Sequence, residues 1–189
     1  HNGIAVISKF KHPERQGEEK YFKNWFTEHG YKVVSLEDGS FEGAGDLLGF
    51  DDIWFGGYGQ RSDKEVYTTL SDIYDKEIIP LKLVNEKFYH LDTCFCPLSG
   101  GELLYYPPAF DLYSQKLIAE RWPFRVIVSS QEAERFACNA VCVGNHVVLP
   151  SGCDETMKVL KQYGYITHPV ELNEFFKSGG SAKCLTFVL

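Results

Sequence analysis

Short apolar runs alternate along this chain with charged, helix-compatible stretches, and the alternation repeats. The run Ile4-Ala5-Val6-Ile7 predicts a strand, and a loop through Lys11-His12-Pro13 follows. A charged helix is then expected over 14–29, stopped by Gly30, before a second strand over 31–36. The same order returns with the apolar run Ile53-Trp54-Phe55-Gly56, a loop through Arg61, a helix over 63–74 and a strand over 78–81. A looser copy runs from Leu103-Leu104-Tyr105 through a helix over 113–120 to a strand over 126–128. A last one runs from Val147-Val148-Leu149-Pro150 to a helix over 154–163, and its exit Gly164-Tyr165-Ile166 echoes Gly30-Tyr31-Lys32.

Taking Gly3, Asp52, Gly101 and Gly144 as equivalent phases, the intervals are 49, 49 and 43 residues. A period of this size marks repeated supersecondary units, each too small to bury its own face. The linkers that follow the units hold the unusual residues at matching phase: Phe41-Glu42-Gly43-Ala44-Gly45-Asp46, then Phe88-Tyr89-His90-Leu91-Asp92-Thr93-Cys94-Phe95, then Phe136-Ala137-Cys138-Asn139-Ala140, then Ser178-Gly179-Gly180-Ser181-Ala182-Lys183-Cys184-Leu185-Thr186. Such linkers converge only if the units close around an axis, so the expectation is an α/β ring whose polar linkers line one pocket.

Composition narrows the partner. The 189 residues are 44% hydrophobic and carry 19 Lys plus Arg against 26 Asp plus Glu, a formal charge of −7. That balance argues against a sequence-independent grip on nucleic acid or an anionic membrane surface, and points to a small molecule as partner. No apolar run approaches the roughly 20 residues that span a bilayer, and no signal peptide opens the chain. The six cysteines then read as free thiols of a reducing, cytoplasmic setting rather than a disulfide framework. Cys94 and Cys96, one residue apart on an extended segment, point to opposite faces and do not suit one zinc ion. No metal or organic cofactor is expected.

Cys184, between Gly179-Gly180-Ser181 and the apolar 185–189, is the nucleophile candidate: tight turns hold the sulfur at a pocket mouth and a following strand fixes it. His90 is the general acid/base candidate, although a lone histidine among aromatics is more often a satisfied core residue. Glu42 and Asp46 flank two glycines in an apolar stretch, and buried carboxylates want cationic partners. Arg61 supplies one internally, on Asp46, while a cationic substrate is the functional reading for Glu42 and Asp92. Arg15 suits a clamp for a substrate carboxylate, against the plainer reading of a solvated charge beside Glu14, Glu18 and Glu19. Acidic groups around a Cys and a His fit an electrophilic carbon carried by a cation, and a guanidinium meets that description.

These motifs resemble the guanidino-group-modifying superfamily, which includes arginine deiminase, dimethylarginine dimethylaminohydrolase, glycine amidinotransferase and the arginine dihydrolases. The carrying residues are Phe41-Glu42-Gly43-Ala44-Gly45-Asp46, His90-Leu91-Asp92-Thr93, Asn139 and Gly179-Gly180-Ser181-Ala182-Lys183-Cys184-Leu185-Thr186, so the likeness spans nearly the whole chain. The resemblance implies a pseudo-symmetric ββαβ propeller (pentein) of five units. About four are here, as one catalytic domain over 1–189 expected to lack its N-terminal unit. It implies Cys184 as nucleophile, His90 as acid/base and Glu42 as helper carboxylate. Asp92 would hold the guanidinium, Asp46 and Arg61 would shape the pocket, Asn139 would be structural, and Arg15 would hold the substrate's α-carboxylate. The family's Glu-Gly-Gly-Asp appears here with one additional residue, as Glu42-Gly43-Ala44-Gly45-Asp46.

The run from His12 to Glu19, taken with His90-Leu91-Asp92-Thr93-Cys94-Phe95-Cys96-Pro97, is most similar to the compact arginine dihydrolase type. That type takes arginine to ornithine, ammonia and carbon dioxide. The alternatives are dimethylarginine hydrolase or arginine deiminase, both giving citrulline, an amidinotransferase, or a degenerate module that only binds a cationic metabolite. A homo-oligomer is compatible with all of them.

Overall fold

The computed structural model describes residues 1–50 and 52–187, in two compact units. The first, residues 1–82, holds a two-stranded parallel sheet of β1 (Ile4–Ile7) and β2 (Lys32–Ser35). It also holds a three-stranded sheet in the order β3 (Leu47–Phe50), β4 (Ile53–Tyr58), β5 (Glu77–Lys82). β3 is antiparallel to β4, and β5 returns parallel to β4 after helix α3 (Val66–Tyr74). Val66, Tyr67 and Leu70 form the buried face of α3, with Phe41 in the same cluster and Val6, Leu36, Leu47 and Ile78 packed around it. The helix stops at Asp75, whose φ of 51° is left-handed.

The helix expected over 14–29 is two helices, α1 (Pro13–Gln16) and α2 (Glu19–Glu28). Gly17, costly inside a helix, ends the first, and the Glu19 carboxylate that opens the second folds back to accept from the Phe10 N–H at 2.9 Å.

The second unit, from Leu83, repeats the second half of the first twice. β6 (Phe95–Pro97) is antiparallel to β7 (Leu103–Tyr105), and β8 (Arg125–Ile127) is parallel to β7 after α4 (Leu112–Arg121). Asp111 caps α4 by accepting from Ser114 N at 2.8 Å. After the short α5 (Ser130–Ala133), β9 (Val141–Val143) is antiparallel to β10 (His146–Pro150). α6 (Asp154–Gln162) then leads to β11 (Ile166–Val170), parallel to β10, and α7 (Asn173–Phe176) follows. Phe95 packs against Phe110 and Trp122, and the Trp122 indole N–H donates to Gly101 O at 2.8 Å.

Three of the four repeats are therefore ββαβ and one is βαβ, in an α/β fold of several small sheets. The hydrophobic pattern located the parallel pairs and their helix; the short antiparallel strands β3, β6 and β9 came only through the resemblance. A strand was expected after Cys184. Among the described residues that stretch is a 3₁₀ turn, Lys183–Leu185, with Thr186 and Phe187 beyond it, while Val188 and Leu189 lie outside them. Leu185 and Phe187 are exposed. No helix among the described residues is long and apolar enough to cross a membrane.

One buried carboxylate is explained by the fold alone. Glu132, on α5, accepts from the N–H groups of Glu155 (2.8 Å) and Thr156 (2.9 Å) and from the Thr156 hydroxyl (2.5 Å), which satisfies the first turn of α6. Glu132→Ala leaves those donors buried and unpaired. It is expected to cost about 1–3 kcal/mol of stability by chemical denaturation.

Candidate active site

Within the first unit, the linker after β2 turns through a 3₁₀ segment, Gly43–Gly45, closed by Asp46 N donating to Gly43 O at 3.0 Å. Gly43 has φ +70°, and a Cβ there would lie 2.6 Å from Ser8 Oγ. The turn absorbs the additional residue of the Glu-Gly-Ala-Gly-Asp motif and leaves both carboxylates buried. They are joined through Ser62: Glu42 N donates to Ser62 Oγ (3.0 Å), and that hydroxyl donates to Asp46 Oδ2 (2.7 Å). Arg61, expected on Asp46, is ion-paired with Glu42 at 3.0 Å, its guanidinium partly in solvent and the Glu42 side chain fully out of it. The Tyr67 hydroxyl donates to Asp46 O, and burial followed by the Asp46 charge pushes its pKa well up, so it remains a phenol. Ser62 and Tyr67 had no motif to announce them.

Arg15 forms a two-pronged bridge to Glu18, Nε and Nη2 each 2.9 Å from a carboxylate oxygen, with its guanidinium carbon 4.1 Å above the Phe10 ring. The Arg15 hydrogen bond holds the Glu18 carboxyl below its ordinary range, against an opposing push from burial. Arg15 therefore has a carboxylate partner within the chain, where its plainer reading is a solvated charge.

The second unit gathers Cys184, Asp92 and Asn139. Asp92 lies in the 3₁₀ turn Leu91–Thr93 that opens at His90, where Thr93 N and Oγ1 donate to the His90 carbonyl at 3.2 and 2.6 Å. The half-buried His90 sets its ring against Tyr89, centroids 4.7 Å apart. Asn139, fully buried, accepts through Oδ1 from Ser181 N (2.8 Å) and Cys184 N (3.2 Å), and donates through Nδ2 to Asp92 O (3.0 Å). The Cys184 thiol thereby points at Asp92 Oδ2 across 4.0 Å.

Cys184 is exposed as a residue, yet Gly180 lies directly over its sulfur: a Cβ on Gly180 would sit 2.8 Å from Sγ. Burial of the sulfur pushes the thiol up to about 11, and the Asp92 charge adds to this. The Ser181 N–H, the Asn139 amide and the Lys183 ammonium oppose the shift without cancelling it. Cys94, Cys96, Cys138 and Cys153 are buried, and burial drives Cys96 and Cys153 up to about 12 and Cys138 well up from its ordinary value. Cys94 and Cys96 direct their sulfurs toward the carbonyls of Leu91 and Ala140.

Comparison with known proteins follows this geometry. The family described as eukaryotic N,N dimethylarginine dimethylhydrolase matches residues 1–189. The bifunctional arginine dihydrolase/ornithine cyclodeaminase ArgZ of Synechocystis sp. is 50% identical over 190 residues, covering 96% of this chain and 26% of that protein. The N(G),N(G)-dimethylarginine dimethylaminohydrolase of Mycobacterium tuberculosis is 36% identical over 183 residues, 97% of this chain and 60% of its own length. The crystal structure of the N-terminal domain of the cyanobacterial arginine dihydrolase ArgZ, bound to product, superposes with a TM-score of 0.95 at 48% identity, covering 98% of this chain and 70% of that one. The chain thus spans about a quarter of the bifunctional relative and under two thirds of the mycobacterial one.

Thiolate, not thiol, reacts with iodoacetamide, so a thiol raised to about 11 withholds its reactive form at every pH below that value. Alkylation of Cys184, followed by peptide mass spectrometry, is expected to keep climbing about tenfold per pH unit from about pH 7 to about pH 10, where a thiol of ordinary pKa levels off. Gly180→Ala, which pushes a methyl into the sulfur, is expected to change the Cys184 rate and leave the buried thiols unlabelled.

Proposed function

The chain belongs to the family described as eukaryotic N,N dimethylarginine dimethylhydrolase, and from that premise we propose that it hydrolyses the guanidinium carbon of arginine through a covalent Cys184 intermediate, as an arginine dihydrolase. The observation that carries this reading is the Cys184 thiol facing the buried Asp92 carboxylate. At rest the Asp92 charge disfavours the Cys184 thiolate. A guanidinium bound to Asp92 brings a positive charge beside the sulfur, which makes the thiolate cheaper to form beside the carbon it attacks.

In this reading Cys184 Sγ bonds to the central guanidinium carbon, and His90 protonates the departing nitrogen, which leaves as ammonia. The product of that step is an amidino-thioether on Cys184. Water then adds with His90 as base, a second ammonia leaves, and a second water releases ornithine and carbon dioxide and frees the thiol. One arginine and two waters give one ornithine, one carbon dioxide and two ammonia. Glu42 is the helper carboxylate for these proton transfers, Asp46 shapes the substrate's surroundings, and Arg15 holds the α-carboxylate by exchanging its Glu18 partner for the substrate. Arg61 holds Glu42, and Asn139 holds the Cys184 turn.

The family resemblance supports assigning residues 1–189 to one catalytic domain whose ββαβ repeats belong to a pseudo-symmetric propeller. The reading includes a small cationic substrate, no nucleic acid or membrane partner, a homo-oligomer as an allowed state and a cytoplasmic setting, which the buried free thiols support. A second reading, dimethylarginine hydrolysis to citrulline, is favoured by the description of the family itself and by the mycobacterial relative. Asp92 weighs against it, because a carboxylate is best matched by the N–H donors that methylation removes.

Product analysis separates these readings. With arginine, ornithine and about two ammonia per turnover are expected, and Cys184→Ala abolishes both. Citrulline from dimethylarginine alone transfers the assignment to the second reading, and no product from any guanidine rejects hydrolysis altogether.

A further inference from the structure

The turn that carries Asn139 is held in a conformation its sequence does not favour. α5 runs out through Glu134 and Arg135, and Phe136 follows at φ +58°, a left-handed position usually given to glycine. A bulky aromatic there is strained and persists only where its surroundings over-determine it. Here the Phe136 ring is buried against Phe88 and Phe176, with centroids 6.2 and 6.0 Å away. Its carbonyl accepts from Asn139 N at 2.9 Å, so the aromatic lock is one hydrogen bond from the buried amide.

Asn139 spends its side-chain amide and its carbonyl on the two segments that carry the reacting pair. Besides the bonds to Ser181 N, Cys184 N and Asp92 O, its own carbonyl accepts from Lys183 N at 3.1 Å. The main chain around Cys184 is thus fastened by one residue at three N–H groups, and the same residue fastens the Asp92 backbone.

We propose that Asn139 is a positioning residue, clamped by the strained Phe136 turn, that sets the Cys184 sulfur against the Asp92 carboxylate by holding both main chains at once. The proposal rests on Cys184 being the nucleophile and assigns Asn139 a role beyond filling the core. A residue needed only for folding lowers stability and leaves the folded enzyme's thiol unchanged; a positioning residue alters the thiol in protein that is still folded.

Asn139→Asp keeps the shape and both acceptor bonds while losing the donor to Asp92 O and adding charge beside the sulfur; Asn139→Ala loses all three side-chain bonds. In the full chain, both are compared with the parent by circular dichroism, by iodoacetamide labelling of Cys184 with half-exposed Cys142 as internal reference, and by steady-state kinetics on arginine. For Asn139→Asp, labelling of Cys184 relative to Cys142 is expected to fall at least about threefold at neutral pH in folded protein. For Asn139→Ala, kcat is expected to fall about a hundredfold, the scale of an ångström's misplacement, with KM moving far less. An unchanged Cys184 to Cys142 ratio and an unchanged kcat in folded Asn139→Ala overturn the proposal; where Asn139→Ala does not fold, an unchanged kcat in the folded Asp variant, which has lost the tie to Asp92 O, overturns it. Parent protein that hydrolyses no guanidine, while the labelling contrast holds, overturns the functional reading and leaves the positioning role standing.

Discussion

A fully buried side-chain amide has to find partners for its oxygen and its nitrogen inside the protein, and Asn139 finds them on two segments that sequence separates by more than forty residues in each direction. The placement of Cys184 follows from that requirement. Among the described residues after Cys184, Leu185 and Phe187 are exposed. Hydrogen bonds position the Cys184 turn directly, helped by the absence of a side chain on Gly180, which lets the sulfur seat against the backbone. A turn held this way is set by the direction of a few N–H groups rather than by the volume of a pocket, and direction is what a nucleophile's attack angle requires.

The buried carboxylates show how one side-chain type serves different ends. Glu132 gives its oxygens to the start of α6, Glu42 is neutralised by Arg61, and Asp46 receives the Ser62 hydroxyl. These are partners that stabilise a negative charge in place. Asp92 also faces the Cys184 thiol across 4.0 Å, and its charge disfavours the thiolate. Under the proposed reading a bound guanidinium relieves that repulsion.

Much of this was legible before any coordinates. The parallel strand pairs and their helices followed from apolar runs spaced at regular intervals, because a buried parallel pair needs apolar residues on both strands and a helix of sufficient length to cross between them. Strands of three residues, such as Phe95–Pro97 and Val141–Val143, are too short to show a period, and Gly17 broke a helix whose charge pattern looked continuous. The identities of Glu42, Asp46, Asp92, Asn139 and Cys184 came from motifs. The partners that define their chemistry did not: Ser62 between two carboxylates, Glu18 on Arg15 and the strained Phe136 are facts of the folded chain, since hydrogen-bond direction and backbone dihedral leave no imprint on composition or spacing.

The central claim is that Cys184 becomes covalently joined to the guanidinium carbon, and the most direct measurement is peptide mass spectrometry of a reaction with arginine quenched in acid during turnover. The account predicts an adduct on the Cys184 peptide equal in mass to arginine less one ammonia, absent from Cys184→Ala. Turnover of arginine with no adduct at Cys184, or with hydrolysis retained in Cys184→Ala, would contradict it.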